Sequence, residues 1–254
     1  MNIIYVDNTL STNTLMAETD RATPLPHATV IAARQQTAGR GQRGNSWEAA
    51  PGKNITMSMM LRPKGVCAAE QFAISEAVAS GVARAIERAM DNRVKITVKW
   101  PNDIYAGDMK ICGILIENSL AGTTITRSIA GIGINVNQTE WLSDAPNPVS
   151  MAQLTGATYP IEQLISSVTS EIESLIPLTS TPEGRTKLHT LYMERLWRRS
   201  GYHLWQEPQS AEPFPARIAH IALTGHLTLE TAEGLRRTYA FKEISAVIKS
   251  PSTL

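Results

Sequence analysis

Lys99-Trp100-Pro101-Asn102-Asp103-Ile104-Tyr105, followed shortly by Lys110-Ile111-Cys112-Gly113-Ile114-Leu115-Ile116-Glu117, sets polar groups between two apolar strands. Val94, Ile96, Val98 and Trp100 alternate with polar residues, the period of a strand with one buried face, and Pro101 cannot continue a sheet's hydrogen bonding. Asn102 and Asp103 then open a turn, and a strand resumes around Lys110. The spacing predicts a hairpin whose apolar body holds Lys99, Asp103 and Lys110 at one end, where their charges can be aimed at a ligand.

Working outward, Ile3 to Val6 reads as a short strand, and Ser11-Thr12-Asn13 supplies helix-capping side chains for a helix through Thr14–Glu18. Val30–Ala33 and Ile55–Leu61 are further strands, separated by a polar segment from Gln35 to Pro51 that is too long for a simple connection. Phe72, Val78, Val82, Ile86 and Met90 keep a helical period, and Ala77, Gly81 and Ala85 are small enough for close packing against a sheet. Residues 124–137 continue as a strand into Gly131-Ile132-Gly133-Ile134-Asn135-Val136-Asn137. Two amphipathic helices follow, with stripes Ile161, Leu164, Ile165, Val168, Ile172, Leu175 and Leu188, Leu191, Tyr192, Leu196. Beyond Arg199 short strand-like runs separated by Gly225 and Gly234 predict a small all-β unit. The reading divides the chain into a main domain, 1–198, and a β domain, 199–254.

The 254 residues are enough for a sizeable core, and 43% hydrophobic with 19% charged residues is ordinary for a globular protein. A net charge of +1 offers no general attraction to nucleic acid or acidic membranes, so an anion site must be local. No segment approaches the ~18 apolar residues of a membrane span, and the N-terminus lacks the pattern of a signal peptide. The expected location is cytoplasmic. Cys67 and Cys112 have no metal-type spacing with the five histidines and read as packed, reduced thiols.

Gln36-Thr37-Ala38-Gly39-Arg40-Gly41-Gln42-Arg43-Gly44 combines glycines that let backbone approach a ligand with guanidinium groups suited to phosphate or carboxylate. It matches neither a P-loop nor a dinucleotide turn, and by itself reads first as a basic surface loop. Trp47 could stack on a base but taken alone covers the core, and Ser11-Thr12-Asn13 is as a bare tripeptide a helix cap, though it could donate hydrogen bonds to a ligand's carbonyl or ureido group. The Gly131–Asn137 run could approach a nucleotide or mark a tightly packed strand end. Lys110 reads equally as a cation at the mouth of a water-poor site and as a strand-end lysine reaching solvent.

In order, these segments read Ser-Thr-Asn, Gln-x-x-Gly-Arg-Gly-x-Arg-Gly-x-x-Trp, Lys-Trp-Pro-Asn-Asp, Lys-x-x-Gly-Ile-Leu-Ile-Glu and Gly-x-Gly-Ile-Asn-Val-Asn, and together they resemble the catalytic domain of biotin protein ligases across residues 11–137. The resemblance implies an α/β (α+β) fold, a mixed sheet backed by helices with a small C-terminal SH3-like β-barrel. It implies ATP-dependent activation of biotin to biotinyl-5′-AMP and transfer to a lysine of the biotin carboxyl carrier protein of acetyl-CoA carboxylase. Motifs that begin at residue 11 lead to the expectation of a monofunctional ligase without a DNA-binding domain; self-association to a homodimer is left open.

Residue by residue, the resemblance places biotin against Ser11, Thr12, Asn13, Gln36, Arg40, Gly41, Gln42, Lys110 and Gly113. ATP or the adenylate falls to Arg40, Arg43, Trp47, Lys110 and Asn135, with Asn135 also a ligand for Mg²⁺. Lys110, Arg40 and Asp103 are the implied catalytic group, the loop around Arg40 closes over the intermediate, and Lys99 is left as structural. At Gln42 the well-known bacterial ligase carries arginine, which argues against the side chain at 42 as a phosphate contact. A lipoate or octanoyl transferase of the same fold and a non-catalytic biotin-adenylate sensor are the alternatives.

Overall fold

The computed structural model describes residues 2–41, 46–142, 147–210 and 212–248. Seven strands form a mixed sheet: β1 (Asn2–Thr9), β2 (Thr29–Gln36), β3 (Ile55–Leu61), β4 (Ile96–Lys99), β5 (Asp103–Ala106), β6 (Met109–Ala121) and β7 (Thr124–Ile134). Their spatial order is β1-β2-β3-β7-β6-β5-β4, parallel only between β1 and β2. The chain around the opening stretch is therefore a three-stranded meander, β4-β5-β6, rather than one hairpin, because the Gly107-Asp108 turn reverses it a second time.

The period-2 alternation decides what lies on each face. Val30, Met57, Met59, Ile132, Cys112, Ile104 and Val98 belong to one continuous core beneath α2 (Phe72–Ala89), while Ile31, Met60 and Ile129 form a second cluster with Met16 of α1 (Thr12–Ala22). A short helix, α3 (Met151–Thr155), precedes α4 (Ile161–Leu175) and α5 (Pro182–Glu194), both of which pack on α2. Gly81 meets α4 rather than the sheet: a Cβ there would lie 2.9 Å from the Ile172 nitrogen. Because α1 covers only part of the second face, the rest of that face is free to carry a site.

The C-terminal strands β8 (His203–Gln206), β9 (Phe214–Ile221), β10 (Leu227–Thr231), β11 (Arg236–Tyr239) and β12 (Ser245–Ala246) form an antiparallel sheet in the order β11-β10-β9-β8-β12. Its apolar side chains Trp205, Ile221, Leu227 and Ile244 join the same core as α2. The contact is anchored at the β4–β5 turn. Trp100 donates its indole N–H to the Gly225 carbonyl at 2.8 Å and meets the Phe241 ring edge-on at 5.9 Å. From the other side, the hydroxyl of fully buried Tyr192 donates to the Pro101 carbonyl at 2.9 Å.

Candidate active site

The floor of the site is glycine. Register pairs Gly133 with Gly113 and Gly131 with Leu115 and Ser58, so the three glycines lie on the face that α1 covers only in part. A Cβ on Gly113 would stand 2.8 Å from Trp47 Cζ3, and one on Gly131 3.0 Å from Asn13 Cγ; Trp47 also lies directly on Gly133. Missing side chains thus let a polar side chain and an indole rest on the strands themselves. A cavity of about 1090 Å³ runs along this face, from Thr12 and Gln36 at one end to Lys99, Phe241 and Ile244 at the other.

At the first end the polar groups orient one another. Gln36 Oε1 accepts from the Thr12 backbone N–H at 2.8 Å and from its hydroxyl at 3.1 Å. The Ser58 hydroxyl lies 2.5 Å from Asn13 Oδ1 and 2.7 Å from Thr12 Oγ1, and Asn13 Nδ2 donates to Glu117 at 2.7 Å. Asn13 is held at both ends of its amide, and both it and Ser58 are buried. Such a wall presents fixed donors and acceptors to a polar ring. Arg40 reaches the same rim, 3.2 Å from Thr14 Oγ1 and 3.5 Å from Glu117.

Toward the other end, Lys110 Nζ pairs with Asp103 at 2.9 Å, and its ammonium lies 5.8 Å from the Trp47 ring centroid. The β5–β6 register shifts between Ile104 and Tyr105, which brings the two side chains to one place although they are not opposite in the ladder. Lys99 stands opposite Asp103 across β4–β5, half-buried, with its ammonium 5.4 Å from the Tyr105 ring. Burial pulls the Lys99 ammonium below the ordinary lysine range; Asp103 opposes this, and Lys110 and Arg198 add to it. Burial, with Asp103 beside it, pushes the Tyr105 phenol up to about 12. The indole N–H groups of Trp47 and Trp141, both in the lining, are buried with no hydrogen-bond partner among the described residues.

A family model for the biotin/lipoate A/B protein ligase family matches residues 5–135. The chain belongs to this family. Among relatives, the bifunctional ligase/repressor BirA of Bacillus subtilis is 39% identical over 114 residues, 44% of this chain and 34% of that protein. The biotin–[acetyl-CoA-carboxylase] ligase of Paracoccus denitrificans is 35% identical over 132 residues, 52% of this chain and 50% of its own length. The matches thus span half or less of these relatives. The Aquifex aeolicus biotin protein ligase solved with biotin and ATP shares the fold, with a TM-score of 0.76 at 21% identity over 98% of this chain and 99% of that one.

In this biotin/lipoate ligase fold, Thr12, Asn13, Gln36, Arg40, Gly41, Trp47, Asp103, Lys110, Gly113 and Asn135 line one cavity. Ser11 does not: it is buried at the N-cap of α1, makes no capping hydrogen bond with its side chain, and lies outside the lining. Gln42 and Arg43 lie outside the described residues. The Gly131–Asn137 run does not offer open backbone to a nucleotide, because Asn13 and Trp47 already cover Gly131 and Gly133. Lys99, expected to be structural, lines the cavity. Ser58 and Trp141 fall outside the quoted motifs, and Asn102 and Glu117, though within them, are given no role by the sequence. Thr56 and Ser58 alternate with apolar residues along the strand, yet every residue of β3 is buried. Among the described residues no group of three His, Cys, Asp or Glu side chains is arranged to hold a metal. No helix among them is long and apolar enough to cross a membrane.

Proposed function

We propose that this chain joins biotin to AMP at the expense of ATP and passes the acyl group to a lysine of a biotin carboxyl carrier domain. The observation that carries the reading is the single cavity with a hydrogen-bonding wall at one end and the Lys110–Asp103 pair further along the floor. Thr12, Asn13 and Gln36 suit a ureido ring, which has one acceptor and two donors. A carboxylate leaving that end reaches Lys110, whose charge offsets the repulsion as a carboxylate oxygen attacks the α-phosphorus and pyrophosphate departs. In the second step the acceptor amine attacks the acyl carbon, AMP leaves, and Asp103 is placed to orient the amine or take its proton.

Mg²⁺ would enter on the triphosphate, since such sites use one or two protein oxygens plus phosphates. Asn135 fits as one of them: it lines the cavity and donates its Nδ2 to the Lys110 carbonyl at 3.3 Å, which leaves Oδ1 as a neutral oxygen ligand. Bound there, the ion would neutralise phosphate charge. Trp47 turns one face to the glycines, so adenine would stack on the opposite face. In this reading residues 1–198 carry the chemistry and 199–254 form the small β domain, whose described residues brace the β4–β5 turn; the cytoplasm is the setting, where ATP and carrier domains meet.

The second reading is a lipoate transferase. A dithiolane has no N–H or carbonyl, and a site built of buried polar groups rejects a ligand that leaves them unpaired by large factors. Incubation of the protein with a biotin carrier domain, a lipoyl domain, ATP, Mg²⁺ and either acid separates the readings. Streptavidin-detectable labelling of the biotin carrier is expected; lipoylation without biotinylation would overturn the assignment.

A further inference from the structure

The site residues follow the strand order across the sheet: Gln36 on β2, Ser58 on β3, the glycines on β7 and β6, Lys110 on β6, Asp103 on β5 and Lys99 on β4. With strands about 4.8 Å apart, Lys99 stands roughly 10 Å beyond the Lys110 strand, on the side away from the Thr12–Gln36 wall. In a phosphoryl-type displacement the attacking and leaving oxygens lie in line on opposite sides of phosphorus. If the carboxylate approaches from the Gln36 side, the leaving group projects over β5 and β4.

Charge at that corner is unmatched. Lys110 is paired with Asp103 at 2.9 Å, and Arg198 has Asp108 at 3.6 Å. The Lys99 ammonium forms no close ion pair among the described residues: it lies 5.4 Å from the Tyr105 ring and feels Asp103, a carboxylate that Lys110 already holds. Along the cavity lining Lys99 and Lys110 both face Asp103, two cations against one carboxylate, with the Arg198–Asp108 pair outside the lining. Retaining a desolvated ammonium there costs stability unless an anion completes the set.

We propose that Lys99 binds the β- and γ-phosphates of ATP and holds the departing pyrophosphate. The assignment rests on the ligase reading above and adds a residue to its nucleotide side. Lys99 does not touch the reacting carboxylate; it fixes the leaving group. Trp100 and Phe241 seat the turn that carries it against the C-terminal sheet, which makes that sheet part of the pyrophosphate site's support.

The test compares wild type, Lys99→Met and Lys99→Arg in biotin-dependent ATP–pyrophosphate exchange, with calorimetric titration of pyrophosphate, AMP and biotin in parallel. Loss of one charged contact predicts a KM for pyrophosphate raised about ten- to a hundredfold in Lys99→Met, with most of it recovered in Lys99→Arg. Binding of AMP and biotin stays within about twofold, which a collapsed turn would not allow. An unchanged pyrophosphate KM and affinity, or equal losses for biotin, AMP and pyrophosphate, overturns the assignment. A wild-type protein that binds pyrophosphate through Lys99 but shows no biotin-dependent exchange overturns the ligase reading instead.

Discussion

Gly131→Ala puts the glycine floor to a direct test. Gly131 does not have a positive φ, so alanine fits its backbone, and on an open strand the change would stabilise by about 0.4–1 kcal/mol by restricting the unfolded chain. Here the added methyl meets the Asn13 amide, 3.0 Å from Cγ and 3.1 Å from Nδ2, with Oδ1 nearer still. Asn13 cannot step aside freely, because Ser58 at 2.5 Å and Glu117 at 2.7 Å hold both ends of the amide. Overpacking of this kind costs about 1–3 kcal/mol, and weakening a hydrogen bond to a carboxylate adds about 1–2 kcal/mol. The clash outweighs the backbone gain, for a net loss of roughly 2–4 kcal/mol. Thermal unfolding should fall by roughly 5–15 °C. Biotin affinity, read by calorimetry, should drop about ten- to a hundredfold as the wall is disordered. In the Asn13→Ala, Gly131→Ala double variant the methyl has room, so the two changes should couple by about 1–2 kcal/mol. A Gly131→Ala protein that is more stable than wild type, or strict additivity in the cycle, would refute the floor.

Three other perturbations probe different parts of the molecule. Lys110→Ala should lower adenylate formation about 100- to 1,000-fold, measured by single-turnover release of pyrophosphate, while biotin affinity changes far less, because its charge matters most in the transition state. Asp20 is nearly buried, which pushes its carboxyl up, but hydrogen bonds from Arg127 and the Leu25 N–H and the charges of Arg62 and Arg127 bring it below the usual range. A lowered folded pKa means that this stabilisation is present above the unfolded value and is lost as pH falls through the folded one. Asp20→Asn should therefore destabilise by about 2–3 kcal/mol in urea at pH 7, with the gap to wild type closing below about pH 4. Trp100→Phe keeps the ring beside Phe241 but loses the bond to the Gly225 carbonyl; about 1 kcal/mol of stability should go, with a raised KM for ATP and little change for biotin, and steady-state kinetics decide.

Much of the fold could be read along the chain because its periods are local. Ile55, Met57, Met59 and Leu61 declare a strand, and Phe72 through Ile86 a helix, whatever surrounds them. Five ordered motifs likewise pointed to the family, and most of their residues meet in one cavity. What the period could not tell is which face would be covered. Thr56 and Ser58 alternate with apolar neighbours as if exposed, but α1 lies over that side, and both side chains are buried and bonded. Glycine motifs were similarly ambiguous: Gly131 and Gly133 invite a nucleotide in sequence, and in space, with Gly113, they carry Asn13 and Trp47.

The sequence by itself determined the elements, the family and the chemical types available, since hydrophobic period, turn residues and ordered motifs are properties of neighbours in the chain. Tertiary structure alone decided how they work together. The strand order β3-β7-β6-β5-β4 lines up Ser58, Lys110, Asp103 and Lys99 across one face, although 41 positions separate the first from the last in the chain. The β5–β6 register shift closes Lys110 onto Asp103, which leaves Lys99 without a carboxylate of its own. The C-terminal sheet, legible only as a small appendage, proves to hold the turn between Lys99 and Asp103 through Trp100. Pairing, register and docking depend on contacts between distant segments, and no local pattern encodes which partner each strand will meet.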